Sequence, residues 1–188
     1  MSLRKLETFL PGVWEVQPDL LQDDRGFFME TYHQAKFAAL GIRDSFVQDN
    51  HSLSRKGTLR GLHYQVHRQQ AKLCRVIEGQ ALDVAVDIRV GSPCFGRWVG
   101  VLLSAAKGNQ LYIPPGFAHG FLALTDSVQL LYKCSEFYDP GDERGIAWND
   151  PGLAIAWNIT APRLSAKDAA NPTLSATPRE LLPQFQPK

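Results

Sequence analysis

The sequence contains no long apolar run. Its first apolar stretch, residues 9–14, is interrupted by Pro11 and Gly12 soon after the basic pair Arg4-Lys5. A secretory signal peptide needs about 7–15 apolar residues in a row, and a membrane-spanning helix needs about 20. We therefore expect a cytoplasmic protein that does not enter a membrane.

The chain also lacks an excess of either charge. Twenty Lys and Arg residues face 19 Asp and Glu residues, which leaves a formal net charge of +1. Such a balance provides no broad basic surface for nucleic acid or for an anionic membrane. An anionic ligand would have to be recognised by a few locally placed Arg and Lys side chains.

Cysteine is scarce as well. The three cysteines, Cys74, Cys94 and Cys134, are an odd number and show no Cys-x-x-Cys spacing. This argues against a disulfide framework and against a zinc site, and it fits a reducing compartment. We expect all three to be small buried side chains.

The remaining pattern is that of strands. Residues 82–89 alternate apolar and polar side chains, and further short strands are predicted at 73–77, 98–103, 111–113, 121–124, 128–134 and 155–159. Turn-forming residues separate these segments, which predicts an antiparallel sandwich or barrel, an all-β fold. Helices are predicted only over residues 34–40 and after Ser165. The length of 188 residues suits one domain over residues 1–188, with an irregular tail from about residue 172 that contains four prolines.

Two segments contain side chains suited to proton transfer. His63 lies in Arg60-Gly61-Leu62-His63-Tyr64-Gln65, and Lys72 begins an apolar strand in which Lys72, Cys74 and Val76 share a face. An ammonium group that points into a barrel is costly unless it is paired or functional. An imidazole and an ammonium side by side can remove a proton next to a carbonyl and stabilise the enolate.

The other candidates have strong structural interpretations. Tyr132 is either a core tyrosine or a proton donor, and Asp168 fits a helix-capping pattern with Ser165. Taken singly, Arg25 and Arg60 are ordinary surface cations. The spacing does not indicate that Asp168 meets His63.

A metal site is the first alternative, because the Pro-x-Gly-x-x-His turn that ends at His119 is typical of metal-binding cupins. Those proteins group His-x-His with a nearby Glu, whereas Gln65 follows His63 at the second position here. A catalytic metal would lack its usual three protein ligands. We predict no metal.

The motifs together resemble the dTDP-4-dehydrorhamnose 3,5-epimerase family. The matching segments run in order from about residue 20 to residue 170: Asp24–Phe28, Phe46–Ser52, Leu59–Gln65, Asp83–Arg89, Ser92–Gly96, Ile113–Phe121, Tyr132–Cys134, Trp148–Pro151 and Leu164–Asp168. The resemblance implies a cupin-like antiparallel jelly-roll barrel that forms a homodimer and requires no cofactor. It also implies conversion of dTDP-4-dehydro-6-deoxy-D-glucose into dTDP-4-dehydro-L-rhamnose.

The resemblance further implies a role for individual residues. His63 corresponds to the base, Asp168 to the group that orients it, Lys72 to the cation over the C4 oxygen and Tyr132 to the acid. The implied nucleotide-sugar contacts are Arg25, Glu30, Gln48, Asn50, Arg60, His119, Glu143 and Lys167, with Tyr138 stacking on the thymine or closing the sugar pocket. In the family, part of the N-terminal segment crosses to the other subunit, so Arg25 and Glu30 are expected to serve the partner's site.

Three other functions remain open from the sequence. A single-centre epimerase of another dTDP-4-keto-deoxysugar would retain His63, Lys72 and Tyr132. A 3,4-ketoisomerase on a related barrel is a more distant alternative. A non-catalytic sugar-binding cupin would be expected to have lost one of the four catalytic residues, and all four are present.

Overall fold

The computed structural model describes residues 1–187, which form mainly antiparallel β-structure. The strands are β1 (Leu3–Glu7), β2 (Trp14–Pro18), β3 (Leu21–Asp23), β4 (Gly26–Phe28), β5 (Gln48–Arg55), β6 (Leu59–Gln65), β7 (Lys72–Glu78), β8 (Gln80–Asp87), β9 (Trp98–Ser104), β10 (Gln110–Ile113), β11 (Phe117–Ala123), β12 (Ser127–Cys134) and β13 (Glu143–Gly145). The helices are α1 (Gln34–Ala39) and α2 (Ala166–Ala169), with 3-10 turns at Leu174–Ala176 and Arg179–Leu181.

The strands form two large sheets and one small hairpin. The six-stranded sheet has the order β1-β2-β10-β7-β12-β5, and the five-stranded sheet has the order β13-β6-β11-β8-β9. Strands β3 and β4 pair only with each other. All the pairs are antiparallel, and except for β1–β2 and β8–β9 the neighbours in the two large sheets are not consecutive in sequence, as in a jelly roll. The predicted all-β, cupin-like antiparallel jelly roll is confirmed.

Most predicted elements occur where the pattern placed them. Strands β7, β9, β10 and β12 match their predicted segments within one residue at each end, and both predicted helices form. The strand predicted at 121–124 begins earlier, at Phe117. The strand predicted at 155–159 is wrong, because Ala154 and Asn158 have φ angles of 47° and 56° that an extended chain cannot include.

Strand β8 alternates apolar and polar residues, yet both of its faces are buried. An alternating strand usually has one face in water, but Asp83, Val84, Ala85 and Val86 are all fully buried. Ala85 packs in the core between the two sheets, whereas Val84 and Val86 pack against a second apolar layer contributed partly by residues 146–182. The later part of the chain therefore covers the outer face of the five-stranded sheet. Asp83 lies on the inner face, like Ala85, and contacts His119 there.

The C-terminal segment belongs to this second layer. Leu174 and Leu182 are buried in it, and Gln184 bridges to Val90. Apart from its two 3-10 turns and that bridge, the segment is irregular, as its prolines predict. The assignment of one domain to residues 1–188 stays a prediction. Residues 1–187 include no helix that is long and apolar enough to cross a bilayer.

A close contact between two glycines determines how β6 lies against β11. Gly61 has a φ angle of 124°, and a Cβ atom built there would lie 2.5 Å from the Gly120 Cα and 2.8 Å from the His119 carbonyl oxygen. The ladder shifts register at this point and pairs His63 directly with His119. Gly61 thus allows the two histidines to lie side by side on neighbouring strands.

We expect Gly61→Ala to lower the free energy of unfolding by about 3 kcal/mol or more, because it combines an unfavourable φ angle with a backbone clash. Gly26→Ala is the matched control: Gly26 has a similar φ angle of 130° but nothing within 4 Å of the added Cβ. It should lower that free energy by only about 1 kcal/mol. Urea unfolding at one fixed protein concentration measures both, and equal losses would show that the contact with Gly120 is unimportant.

Candidate active site

One pocket of about 420 Å³ collects side chains from both sheets and from α2. Its lining residues are Gln48, Asn50, Ser52, Arg60, His63, Gln70, Lys72, His119, Phe121, Tyr132, Tyr138, Glu143, Ser165, Lys167 and Asp168. All the predicted site residues are among them except Arg25 and Glu30. The barrel therefore brings together groups that are up to 120 residues apart in the chain.

His63 and Asp168 form a hydrogen-bonded pair. The Nε2 atom of His63 lies 2.5 Å from Asp168 Oδ1, while its Nδ1 atom lies 3.9 Å from Glu143 Oε1. Ser165 caps α2, because its hydroxyl accepts from the Asp168 amide and donates to Asp168 Oδ2. The cap fixes the Asp168 carboxylate against the imidazole.

The charge of Asp168 is stabilised in this position. Burial by itself raises the pKa of the Asp168 carboxyl, but the hydrogen bonds from His63 and Ser165 and the charge of the imidazolium more than offset that effect. The pKa of Asp168 therefore lies below its ordinary value. An ionised carboxylate on one nitrogen fixes the tautomer of the ring and stabilises its protonated form.

Lys72 begins β7 with its side chain toward the pocket. It is 9% exposed, and no acidic side chain of residues 1–187 forms an ion pair with it. Removing an ammonium group from water without an anionic partner is costly. A buried cation of this kind is suited to a ligand that carries, or develops, negative charge.

Tyr132 lies on β12, directly opposite Cys74 on β7 and Asn50 on β5. Burial raises the pKa of the Tyr132 phenol well above its ordinary value, and nearby Cys134, Cys74 and Glu143 raise it further. The phenol is therefore protonated at neutral pH. It can donate a proton into the pocket but cannot serve there as a resting base.

Glu143 lies between His63 and the side chains of Tyr138 and Lys167. Its Oε2 atom accepts hydrogen bonds from the Tyr138 hydroxyl, at 2.8 Å, and from the Lys167 ammonium. Burial raises the pKa of Glu143, but these two bonds and the nearby His63 lower it by more, so the net shift is downward. The same contact with Glu143 raises the pKa of Lys167. Tyr138, Glu143 and Lys167 thus form one charged network beside His63.

Arg60, Gln48 and Asn50 also line the pocket. The Arg60 Nε donates to the Ser54 hydroxyl at 3.0 Å, which holds the guanidinium at the mouth. Gln48 donates to Asn50 at 3.1 Å and accepts from the Tyr138 amide at 2.9 Å. These bonds order polar groups around the entrance, where Arg60 and Lys167 supply positive charge.

Arg25 and Glu30 lie away from this pocket. Arg25 is on the exposed β3–β4 hairpin and pairs with Asp23, and Glu30 pairs with Lys36 at 2.6 Å. Phe27 and Phe28 on the same hairpin are 62% and 65% exposed. The expectation that Arg25 and Glu30 reach a partner's site stays a prediction.

Sequence reasoning missed two residues beside His119. Asp83 Oδ1 lies 2.5 Å from His119 Nε2, and Cys74 Sγ lies 3.7 Å from the same nitrogen. The alternation in residues 82–89 does not indicate which face of β8 points into the barrel, and Asp83 is fully buried. For Cys74 the sequence contains one signal: it shares a strand face with Lys72, which places it inside the barrel. For Asp83 there is no such signal.

The chain resembles known proteins along most of its length. A sequence profile described as dTDP-4-dehydrorhamnose 3,5-epimerase matches residues 7–176. The chain belongs to this family. A Pseudomonas aeruginosa dTDP-4-dehydrorhamnose 3,5-epimerase is 53% identical over 161 residues, which cover 85% of this chain and 89% of that protein. The Neisseria gonorrhoeae enzyme of the same name is 48% identical over 94% of this chain, which spans about half (54%) of that longer protein.

Solved structures agree with this epimerase-family assignment. The crystal structure of the Legionella pneumophila dTDP-6-deoxy-D-glucose-3,5-epimerase, determined in complex with dTDP-4-keto-L-rhamnose, has a TM-score of 0.96 and 46% identity. The match covers 98% of this chain and all of the other. The fold of a dTDP-sugar epimerase is therefore shared over essentially the whole described chain.

Proposed function

We propose that this chain epimerises C3 and C5 of dTDP-4-dehydro-6-deoxy-D-glucose and yields dTDP-4-dehydro-L-rhamnose, for dTDP-L-rhamnose biosynthesis. The observation that carries the proposal is a single pocket that contains an imidazole–carboxylate pair, a buried ammonium group and a protonated phenol. The family membership supports the choice of substrate. The Legionella epimerase, which binds the proposed product, supports it further.

The first step is removal of the hydrogen next to the C4 ketone. The C–H electron pair moves into the C4 carbonyl and gives an enolate, and His63 takes the proton. Because the Nε2–Asp168 hydrogen bond occupies one ring nitrogen, Nδ1 is the nitrogen that accepts it. The Lys72 ammonium stabilises the enolate oxygen, as a preorganised charge does in a water-poor site.

The second step returns a proton to the opposite face of the same carbon. Tyr132 donates this proton. Because the pKa of its phenol is raised, Tyr132 remains protonated until the enolate has formed. The enolate electrons then form the new C–H bond, and inversion results. Exchange of protons with solvent restores neutral His63 and the Tyr132 phenol, so each inversion introduces a solvent hydrogen. The same residues serve C3 and C5, because both carbons flank one ketone.

The remaining residues hold the nucleotide. Arg60 and Lys167 supply charge-assisted hydrogen bonds to the diphosphate. Gln48, Asn50, His119 and Glu143 supply polar contacts. Tyr138 stacks on the thymine or closes the sugar pocket.

We assign to the protein a homodimeric state and a cytoplasmic location. Two exposed phenylalanines on the β3–β4 hairpin support an interface there. In such a dimer Arg25 adds an anion-binding group to the partner's site, and Glu30 adds a polar contact to the nucleotide sugar. The reaction itself uses only acid–base groups of the chain, so no metal or cofactor takes part.

The test is proton NMR of the reaction in D₂O, with enzymatically prepared dTDP-4-dehydro-6-deoxy-D-glucose. We expect deuterium at both C3 and C5 of the inverted product, with no loss of rate after dialysis against a chelator. Deuterium at one centre would identify a single-centre epimerase. Binding of dTDP without any exchange would favour the non-catalytic sugar-binding cupin, and loss of activity on chelation would contradict the metal-free mechanism.

A further inference from the structure

Three side chains of metal-ligating type meet around His119, which also lines the pocket. Cys74 on β7, Asp83 on β8 and His119 on β11 are all buried, and their ligand atoms lie within 4.8 Å of one another. Cys74 and Asp83 are not used in the reaction described above, and His119 is used only as a contact. Since the three residues lie on three strands, local sequence motifs do not reveal the group.

One atom of this group has no hydrogen-bond partner. Asp83 is 0% exposed, and although its Oδ1 atom lies 2.5 Å from His119 Nε2, its Oδ2 atom has no partner among the described residues. A buried carboxylate oxygen without a partner is costly, and most such atoms in proteins are bonded to protein, water or an ion. Asp83 is thus positioned to receive a ligand.

We propose that Cys74 Sγ, the Asp83 carboxylate and His119 Nε2 bind a divalent cation of the zinc type. Thiolate, imidazole and carboxylate are the groups that bind zinc, and three of them leave the fourth tetrahedral position open. Magnesium and calcium are excluded as occupants because they require oxygen ligands.

The distances fit this assignment. Tetrahedral bonds of about 2.3 Å to sulfur and about 2.0 Å to nitrogen place those two atoms about 3.6 Å apart. The Cys74 Sγ–His119 Nε2 distance is 3.7 Å. Asp83 must exchange its hydrogen bond to His119 for a metal bond, which its free Oδ2 atom can form by a small rotation.

The cation would inhibit the epimerase. His119 lines the pocket and is paired across the ladder with His63, so a cation bound there adds positive charge beside the base and fixes His119 away from the sugar. This consequence for activity rests on the proposed function. The binding itself does not, and it is measured separately.

The experiment is an anaerobic titration of the whole chain with Co²⁺, followed by competition with Zn²⁺. We expect one equivalent per chain to give the near-ultraviolet thiolate-to-cobalt band and the visible bands of a tetrahedral site, and Zn²⁺ to displace it. Cys74→Ala should weaken binding at least about 100-fold, since even loss of an outer-shell partner of a metal site costs about 10–100-fold. Cys134→Ala is the control, because Cys134 is equally buried on the same sheet but outside the group.

Asp83→Asn provides a second variant in case Cys74→Ala does not fold, and it should weaken binding by a similar factor. Cobalt spectra without a thiolate band, or affinity unchanged in Cys74→Ala, would overturn the assignment. A dissociation constant for Co²⁺ or Zn²⁺ of about 1 mM or weaker would also overturn the assignment. If the binding is confirmed, Zn²⁺ should inhibit wild-type enzyme reversibly and Cys74→Ala much less. Zinc binding without inhibition would retain the site and overturn only its regulatory consequence.

Discussion

His63→Ala is expected to abolish epimerisation and to stop exchange of the C3 and C5 hydrogens with D₂O, while dTDP still binds. The substitution removes the group that accepts both protons and leaves Lys72 and Asp168 in place. A positioned base contributes about 10²–10⁴-fold. Because the same base serves two centres in succession, we expect the doubly inverted product to fall by at least about 10³-fold.

Binding of the nucleotide should persist because the groups assigned to the diphosphate are Arg60 and Lys167, not His63. Calorimetry with dTDP measures this part, and NMR in D₂O measures exchange. His67→Ala is the control, because His67 lies exposed in the loop after β6 and should leave both unchanged. Exchange at the wild-type rate in His63→Ala would assign proton removal to another group.

The sequence predicts the reacting groups better than it predicts their partners. Period-2 alternation in β7 and β12 places Lys72 and Tyr132 with Cys74 and Cys134 on inward faces, and the structure has all four on the barrel side. The pairing of His63 with Asp168 spans 105 residues and depends on α2 folding back over the sheet. No local pattern carries that information, so it came from the family resemblance alone.

The errors have one physical origin. The alternation in β8 indicates that one face is exposed to water, but Val84 and Val86 pack against the layer formed by the later part of the chain. Residues 155–159 have a strand-like composition, but they contribute to that layer instead of forming a strand. Burial on a second side is a property of the whole fold and leaves no signal in a short window. The same is true of Asp83, because no short pattern indicates that its polar side chain is fully buried.

Tyr132→Phe is expected to separate the two halves of the reaction. The substitution removes one oxygen from a side chain assigned only to reprotonation, so packing in the core should change little. The enolate should still form over Lys72. The proton on His63 should then exchange with solvent, and His63 should deliver a solvent-derived proton to the face from which the original one was removed. We therefore expect inverted product to fall by about 10²-fold or more, while exchange with solvent continues.

The decisive signal is solvent deuterium at C3, and to a smaller extent at C5, of sugar that has not been inverted. Tyr64→Phe is the matched control, because the Tyr64 hydroxyl is buried without a partner in residues 1–187 and lies outside the pocket. It should leave both exchange and inversion at the wild-type rate. Equal loss of exchange and inversion in Tyr132→Phe would make the phenol part of proton removal or of the pocket's shape. Undiminished inversion would transfer the acid role to water, because the enolate would then be protonated on the opposite face without the phenol.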